Sequence, residues 1–164
     1  MKKNFSGKVW RLGDDIDTDI IIPTQFLALK SVEDMKKYAF HPLRPELAAL
    51  IQPGDIIVAG KNFGCGSSRE QAPEIIAALK VGCIIAKSYA RIFYRNAFNN
   101  GLLLLENNDV YDSCSEGDTV TVDLENSQVV VDKQSFPVAS IPEDLLQMVE
   151  AGGLVAFMRK QNGK

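Results

Sequence analysis

The chain of 164 residues has one histidine, one tryptophan and three cysteines. It has no apolar run approaching the ~20 residues that cross a bilayer. Each shortage excludes something. His41 lies in Phe40-His-Pro-Leu-Arg-Pro45, an expected surface loop, and a histidine-dependent triad has no other candidate. Cys65, Cys83 and Cys114 are odd in number and form no CxxC pair, which fits a reducing cytoplasm better than a disulfide framework. They also make the chain a poor holder of an iron–sulfur cluster, and no metal ligands are assigned in it. Positive charge is not in excess: the formal net charge is −3 and the pI about 5.2. Neither nucleic acid nor an anionic membrane is an expected partner. Met-Lys-Lys-Asn-Phe-Ser-Gly at the start is followed by no apolar segment, so it does not read as a secretory signal.

With 46% hydrophobic and 24% charged residues, the chain reads as one α/β domain over residues 1–164, with no internal repeat or long linker. Lys8–Leu12 alternates as a first strand, and Ile20–Pro23 reads as a short buried strand or extended entry. Ser31–Phe40 reads as a helix capped by Ser31, and Pro45–Ile51 as another short one. A strand at 55–60, a helix to about Lys80, a strand at 83–87, a helix at 89–99 and a strand at 102–105 then alternate. That order predicts parallel strands. Asp118–Leu124 and Gln128–Asp132 form an expected antiparallel hairpin. Pro142–Glu150 is an expected helix stopped by Gly152-Gly153, and Leu154–Lys160 a last short one. The result is a partly parallel central sheet with an added hairpin.

The densest stretch is Lys61-Asn-Phe-Gly-Cys-Gly-Ser-Ser-Arg-Glu-Gln-Ala-Pro73, between an apolar strand and a helix. It lacks the Gly-Lys-Ser/Thr of a Walker loop, and Arg69 stands where a dinucleotide fingerprint needs glycine. A thiol nucleophile at Cys65 has no histidine base. Ser67-x-x-Glu70 and Ser68-x-x-Gln71 both fit a capping box, although Pro73 argues for a helix starting near it. A cap leaves Gly64, Gly66 and Arg69 unexplained. Glycines permit close approach to the backbone, free N–H groups attract an anion, and arginine offers a fork to a carboxylate. The alternative to a cap is therefore a carboxylate pocket with a hydroxyl inside it. Asp15-Ile-Asp-Thr-Asp19 lacks the glycine and terminal acid of a calcium loop.

Three motifs carry a resemblance: Gly13-Asp-Asp-Ile-Asp-Thr-Asp-Ile-Ile-Ile-Pro23, the stretch from Gly60 to Pro73, and Ala86-Lys-Ser-Tyr-Ala-Arg-Ile-Phe-Tyr-Arg-Asn-Ala-Phe-Asn-Asn-Gly101 running on to Glu106. In order and spacing they closely resemble the small-subunit family of 3-isopropylmalate dehydratase, the stand-alone counterpart of the swivelling C-terminal domain of aconitase. One departure is Gln71, where that family usually has histidine. The resemblance implies a swivelling β/β/α domain and a hydro-lyase of leucine biosynthesis, active only with a large subunit that carries a [4Fe-4S] cluster. It implies Ser67 as the base that takes the carbon-bound proton, with Ser68 and Arg69 binding a substrate carboxylate. Thr18 and Asp19 would face the active site. Arg91 and Arg95 divide evenly between bracing the fold or the subunit contact and touching substrate. In this family the loop Gln25–Lys30 approaches the variable part of the substrate, and Ala28 stands where relatives acting on homoaconitate carry arginine. An apolar loop there suits an isopropyl group better than a third carboxylate, and discriminates weakly against 2,3-dimethylmalate or citramalate.

Overall fold

The computed structural model describes residues 3–163. Seven strands form one sheet in the order β4-β3-β2-β1-β5-β6-β7. The parallel half is β1 (Asn4–Arg11), β2 (Ile56–Ala59), β3 (Cys83–Ala86) and β4 (Leu104–Glu106). The antiparallel half is β5 (Thr119–Asp123), β6 (Gln128–Val131) and β7 (Gln134–Pro137). The junction is β1. Its first residues pair with β5, Asn4 against Asp123 and Lys8 against Thr119, and its last residues run beside β2, Val9 against Ile56.

The two halves follow from their sequences. Ile56-Ile-Val-Ala and Cys83-Ile-Ile-Ala are apolar throughout and buried at every position, as strands covered on both faces must be. In β5 and β6 burial alternates, with Val120, Val122, Val129 and Val131 turned inward. The expected hairpin is present, but the sequence reading lacks its third strand, β7. Asp132 and Lys133 form the two-residue turn into it, both with positive φ (49° and 68°). Such turns usually announce themselves by Asn-Gly or Asp-Gly, and this one does not.

Eight helices follow in chain order: α1 (Thr18–Ile21), α2 (Val32–Met35), α3 (Leu47–Leu50), α4 (Gln71–Ala78), α5 (Arg91–Asn99), α6 (Val110–Ser113), α7 (Glu143–Ala151) and α8 (Leu154–Asn162), as described between residues 3 and 163. Of the expected strand or extended entry at Ile20–Pro23, Ile20 and Ile21 belong to a helical turn and Ile22 and Pro23 are extended. Asp17 caps it by accepting from Ile20 N–H at 2.8 Å, and Pro23 forces Ile22 into an extended conformation that ends it. Ser31 caps α2 as expected, its hydroxyl accepting from Asp34 N–H at 3.1 Å, but that helix passes into a 3₁₀ turn at Lys36–Tyr38. Gly152 closes α7 in the left-handed region.

One buried acid ties the sheet to the turn before β2. Asp55 accepts from the Trp10 indole N–H at 2.8 Å and from Gln52 N–H at 2.8 Å. Replacing Asp55 by alanine strands both donors, and we expect a loss of about 2–3 kcal/mol. Urea unfolding checks this; an unchanged midpoint would contradict the role.

Candidate active site

The loops that follow β1, β2 and β3 meet at one end of the parallel half, where ligands of open α/β sheets gather. The loop after β2 lies between the other two and is bonded to each. On one side Asp15 N–H donates to Lys61 O (2.8 Å), Gly64 N–H to Ile16 O (2.8 Å) and Thr18 N–H to Cys65 O (2.9 Å). On the other, Phe63 N–H donates to Ser88 O and Ala90 N–H to Phe63 O, each at 3.0 Å. Phe63 is fully buried and meets Phe93 of α5 edge to face, with ring centroids 5.3 Å apart.

Gly64 is required at this junction. Its φ is +83°, and a Cβ built there would lie 2.1 Å from Phe93 Cγ and 2.5 Å from Phe93 Cβ. No rotation of the phenyl ring clears the second clash. Gly66 (φ +93°) turns the chain next to Thr18.

Beyond Gly66 the backbone opens into a cleft of about 410 Å³ whose lining includes Thr18, Ser67, Ser68, Arg69, Arg91 and Asn96. Ser67 and Ser68 are exposed in it. The capping reading of these serines is not borne out. Helix α4 starts at Gln71 with Glu70 at its N-cap and no side-chain cap, so a cap at 67 or 68 would be too early. Pro73 is the third helical residue, where its missing N–H costs nothing. Both hydroxyls, and the N–H groups of Gly66, Ser67 and Ser68, are without a hydrogen bond among the described residues. Open N–H groups on a glycine turn around two hydroxyls form a place for an anion.

Arg69 is held firmly. Nη1 donates to Ile22 O at 2.9 Å, Nη2 donates to Thr24 Oγ1 at 2.8 Å, and Asp19 Oδ1 lies 2.6 Å from Nη1. The remaining N–H donors of the fork are left for a ligand. Thr18 and Asp19 were expected to act alike, but the structure separates them. Thr18 is buried and lines the cleft, whereas Asp19 is outside the lining and pairs with Arg69. Thr24, which no sequence signal marks, is the other side-chain partner of Arg69.

Ala28 is exposed and is not part of this cleft's lining. Its loop is fixed through Phe26, which stacks on Tyr38 with centroids 4.1 Å apart and meets His41 edge-on at 5.4 Å. His41 is thus an aromatic neighbour in that cluster, outside the cleft lining. Burial raises the Cys65 thiol, and Asp17 and Asp15 raise it further, so it is a thiol at neutral pH and a weak nucleophile. All three cysteines are free, and no group of three or more His, Cys, Asp or Glu among the described residues could hold a metal ion.

Comparison with known proteins decides the family. The chain is 66% identical to the 3-isopropylmalate dehydratase small subunit of Lachnospira eligens, over 99% of each chain. The chain belongs to the 3-isopropylmalate dehydratase small-subunit family. The aconitase C-terminal domain model matches residues 51–109, the stretch holding the glycine turn, α4 and α5. A further family member, the isopropylmalate/citramalate isomerase small subunit of Methanocaldococcus jannaschii, is 39% identical over 98% of this chain and 97% of its own. The crystal structure of 3-isopropylmalate dehydratase from the same organism superposes with a TM-score of 0.89 at 36% identity, covering 97% of this chain and 95% of that one. The swivelling-domain α/β fold of the family is therefore the fold of this chain.

The packing of Gly64 against Phe93 can be tested alone. Gly64→Ala should cost about 2–4 kcal/mol through overpacking and a strained φ. A denaturant midpoint equal to that of the unsubstituted chain would contradict this placement.

Proposed function

We propose that this chain is the small subunit of a 3-isopropylmalate dehydratase, a hydro-lyase interconverting 2-isopropylmalate and 3-isopropylmalate by dehydration and rehydration. The single observation that carries the reading is that Ser67, Ser68, Arg69 and Thr18 line one cleft. The active enzyme is a complex with a large subunit, working in leucine biosynthesis in the cytoplasm. The [4Fe-4S] cluster of that large subunit supplies Lewis acidity toward the substrate hydroxyl. Nothing among the described residues of this chain is arranged to hold it.

The chain's own part is to hold a carboxylate and take a proton. Ser68 and the open donors of Arg69 bind one substrate carboxylate. Ser67 Oγ accepts the carbon-bound proton, leaving its electron pair to form the double bond as the hydroxyl departs. On rehydration Ser67 returns that proton. A serine can do this only where its anionic form is stabilised, and the open N–H groups of the Gly66 turn are suited to it. Asp19, a carboxylate itself, acts by orienting Arg69. Thr18 fixes the turn through its N–H to Cys65 O.

The apolar loop at Leu27-Ala28-Leu29 favours an alkyl-malate over a tricarboxylic acid. Citramalate is the second reading, favoured by the name of the Methanocaldococcus relative. Homoaconitate is disfavoured by Ala28. Assaying the assembled enzyme on isopropylmalate, dimethylmalate, citramalate and homocitrate ranks these, and a preference for the tricarboxylic acid would overturn the alkyl-malate assignment.

Ser67→Ala should lower kcat by ~100-fold or more while substrate still binds; substantial residual turnover would remove Ser67 from the role of base. Arg69→Lys should raise KM by about 10-fold, because the charge remains but the planar fork is lost. Cys65→Ala should leave kcat nearly unchanged, and a large loss would restore the thiol as a participant.

A further inference from the structure

We propose that the exposed apolar face of α8 is a docking surface for the large subunit, extending the contact between the two chains beyond the rim of the cleft. This rests on the dehydratase reading, in which a second chain completes the site. Among the described residues, six large hydrophobic side chains are a third or more exposed. Three of them, Leu154, Val155 and Met158, lie within one turn on one face of α8, and a fourth, Ile92, belongs to the cleft lining on α5. Single exposed apolar side chains are ordinary, but a group of them on neighbouring elements marks an interface. Helix α8 packs against α7 and α5, yet it buries none of its residues, and Phe157 alone is half-buried against the core. Its first five residues, Leu154-Val-Ala-Phe-Met158, are all apolar, whereas a helix meant for solvent on that side carries polar residues there.

The occupant follows from where this face lies. Leu154 and Val155 border a hollow with Glu70, Glu74 and Asn96, and Asn96 also lines the cleft. The apolar face therefore adjoins the cleft. A stable interface between two chains covers about 800 Å² on each of them. The mouth of a cleft of about 410 Å³ offers far less, so a chain that completes the site reaches past its rim. Ile92, 56% exposed in the cleft lining, already puts apolar surface there. A second copy of this chain seated across Ile92 and α8 would obstruct the cleft. Charge defines the partner's surface further. Glu70 and Glu74 are exposed beside the hollow, Arg95 is exposed on α5, and none of the three makes an ion pair among the described residues. A large subunit fitted to this face presents an apolar patch to α8, basic groups to Glu70 and Glu74, and an acidic group to Arg95.

Val155→Asp places a charge within this face without touching the core. Titrated into the fluorescently labelled cognate large subunit and followed by anisotropy, it should bind at least about 10-fold more weakly than the unsubstituted chain. Met158→Asp, on the same face, should act alike. For both variants kcat at saturating subunit and the urea midpoint should be unchanged. Leu50→Asp is the control. Leu50 is 47% exposed, but it ends α3 just before β2 begins, at the opposite end of the strand from the cleft, and its substitution should leave binding as it is. Unchanged affinity in the α8 variants would overturn the proposal, and so would an equal loss in all three. Loss of self-association with unchanged affinity for the large subunit would give the face to a second copy and overturn it as well. Tight binding by the unsubstituted chain without turnover of 3-isopropylmalate would strike the dehydratase reading and leave the docking surface standing.

Discussion

The contact on which the site depends is that of a backbone with a phenyl ring: Gly64 lies so close to Phe93 that there is no room for a Cβ. That contact docks the loop after β2 against α5. The ladder from Asp15, Gly64 and Thr18 docks the same loop against the segment after β1. Ser67, Ser68 and Arg69 leave the loop at its free end, so their positions are set by the packing behind them. On the proposed function the site presents a weak base to a carbon acid and needs such fixed donors, because donors that had to reorganise would lose their advantage in water.

A second consequence concerns charge. The arginine of the Gly-Ser-Ser-Arg stretch is anchored to a carboxylate, a carbonyl and a hydroxyl of the segment Asp19–Thr24. This fixes the fork and ties the serine turn to the start of the loop that carries Ala28. It also lowers the net attraction that Arg69 exerts on an anion. The other cation in the cleft lining is Arg91.

Much of this was legible in the sequence, for identifiable reasons. The strands at 56–59 and 83–86 are apolar at each position because both their faces are covered, and that pattern survives any reading. The turn at Asp132-Lys133 carries no glycine or asparagine, so β7 left no signal. Ile20-Ile-Ile looked extended because β-branched residues favour strands, yet the Asp17 cap wound Ile20 and Ile21 into a turn and left only Ile22 extended. Ser67 and Ser68 matched a capping pattern that the chain does not use, since the helix starts later. Of the residues expected at the site, Thr18, Ser67, Ser68 and Arg69 line one cleft and Ala28 lies outside its lining; the Asp19–Arg69 pair was not readable, because the two residues come together only when the loops after β1 and β2 meet.

On the proposed function, this chain supplies half of an active site whose other half lies on a large subunit. The most direct measurement mixes the chain with its cognate large subunit under anaerobic conditions and follows formation of the unsaturated diacid from 3-isopropylmalate. Turnover in the mixture, with none from either subunit alone, is the result this account requires; an inactive mixture, or turnover by one subunit by itself, would contradict it.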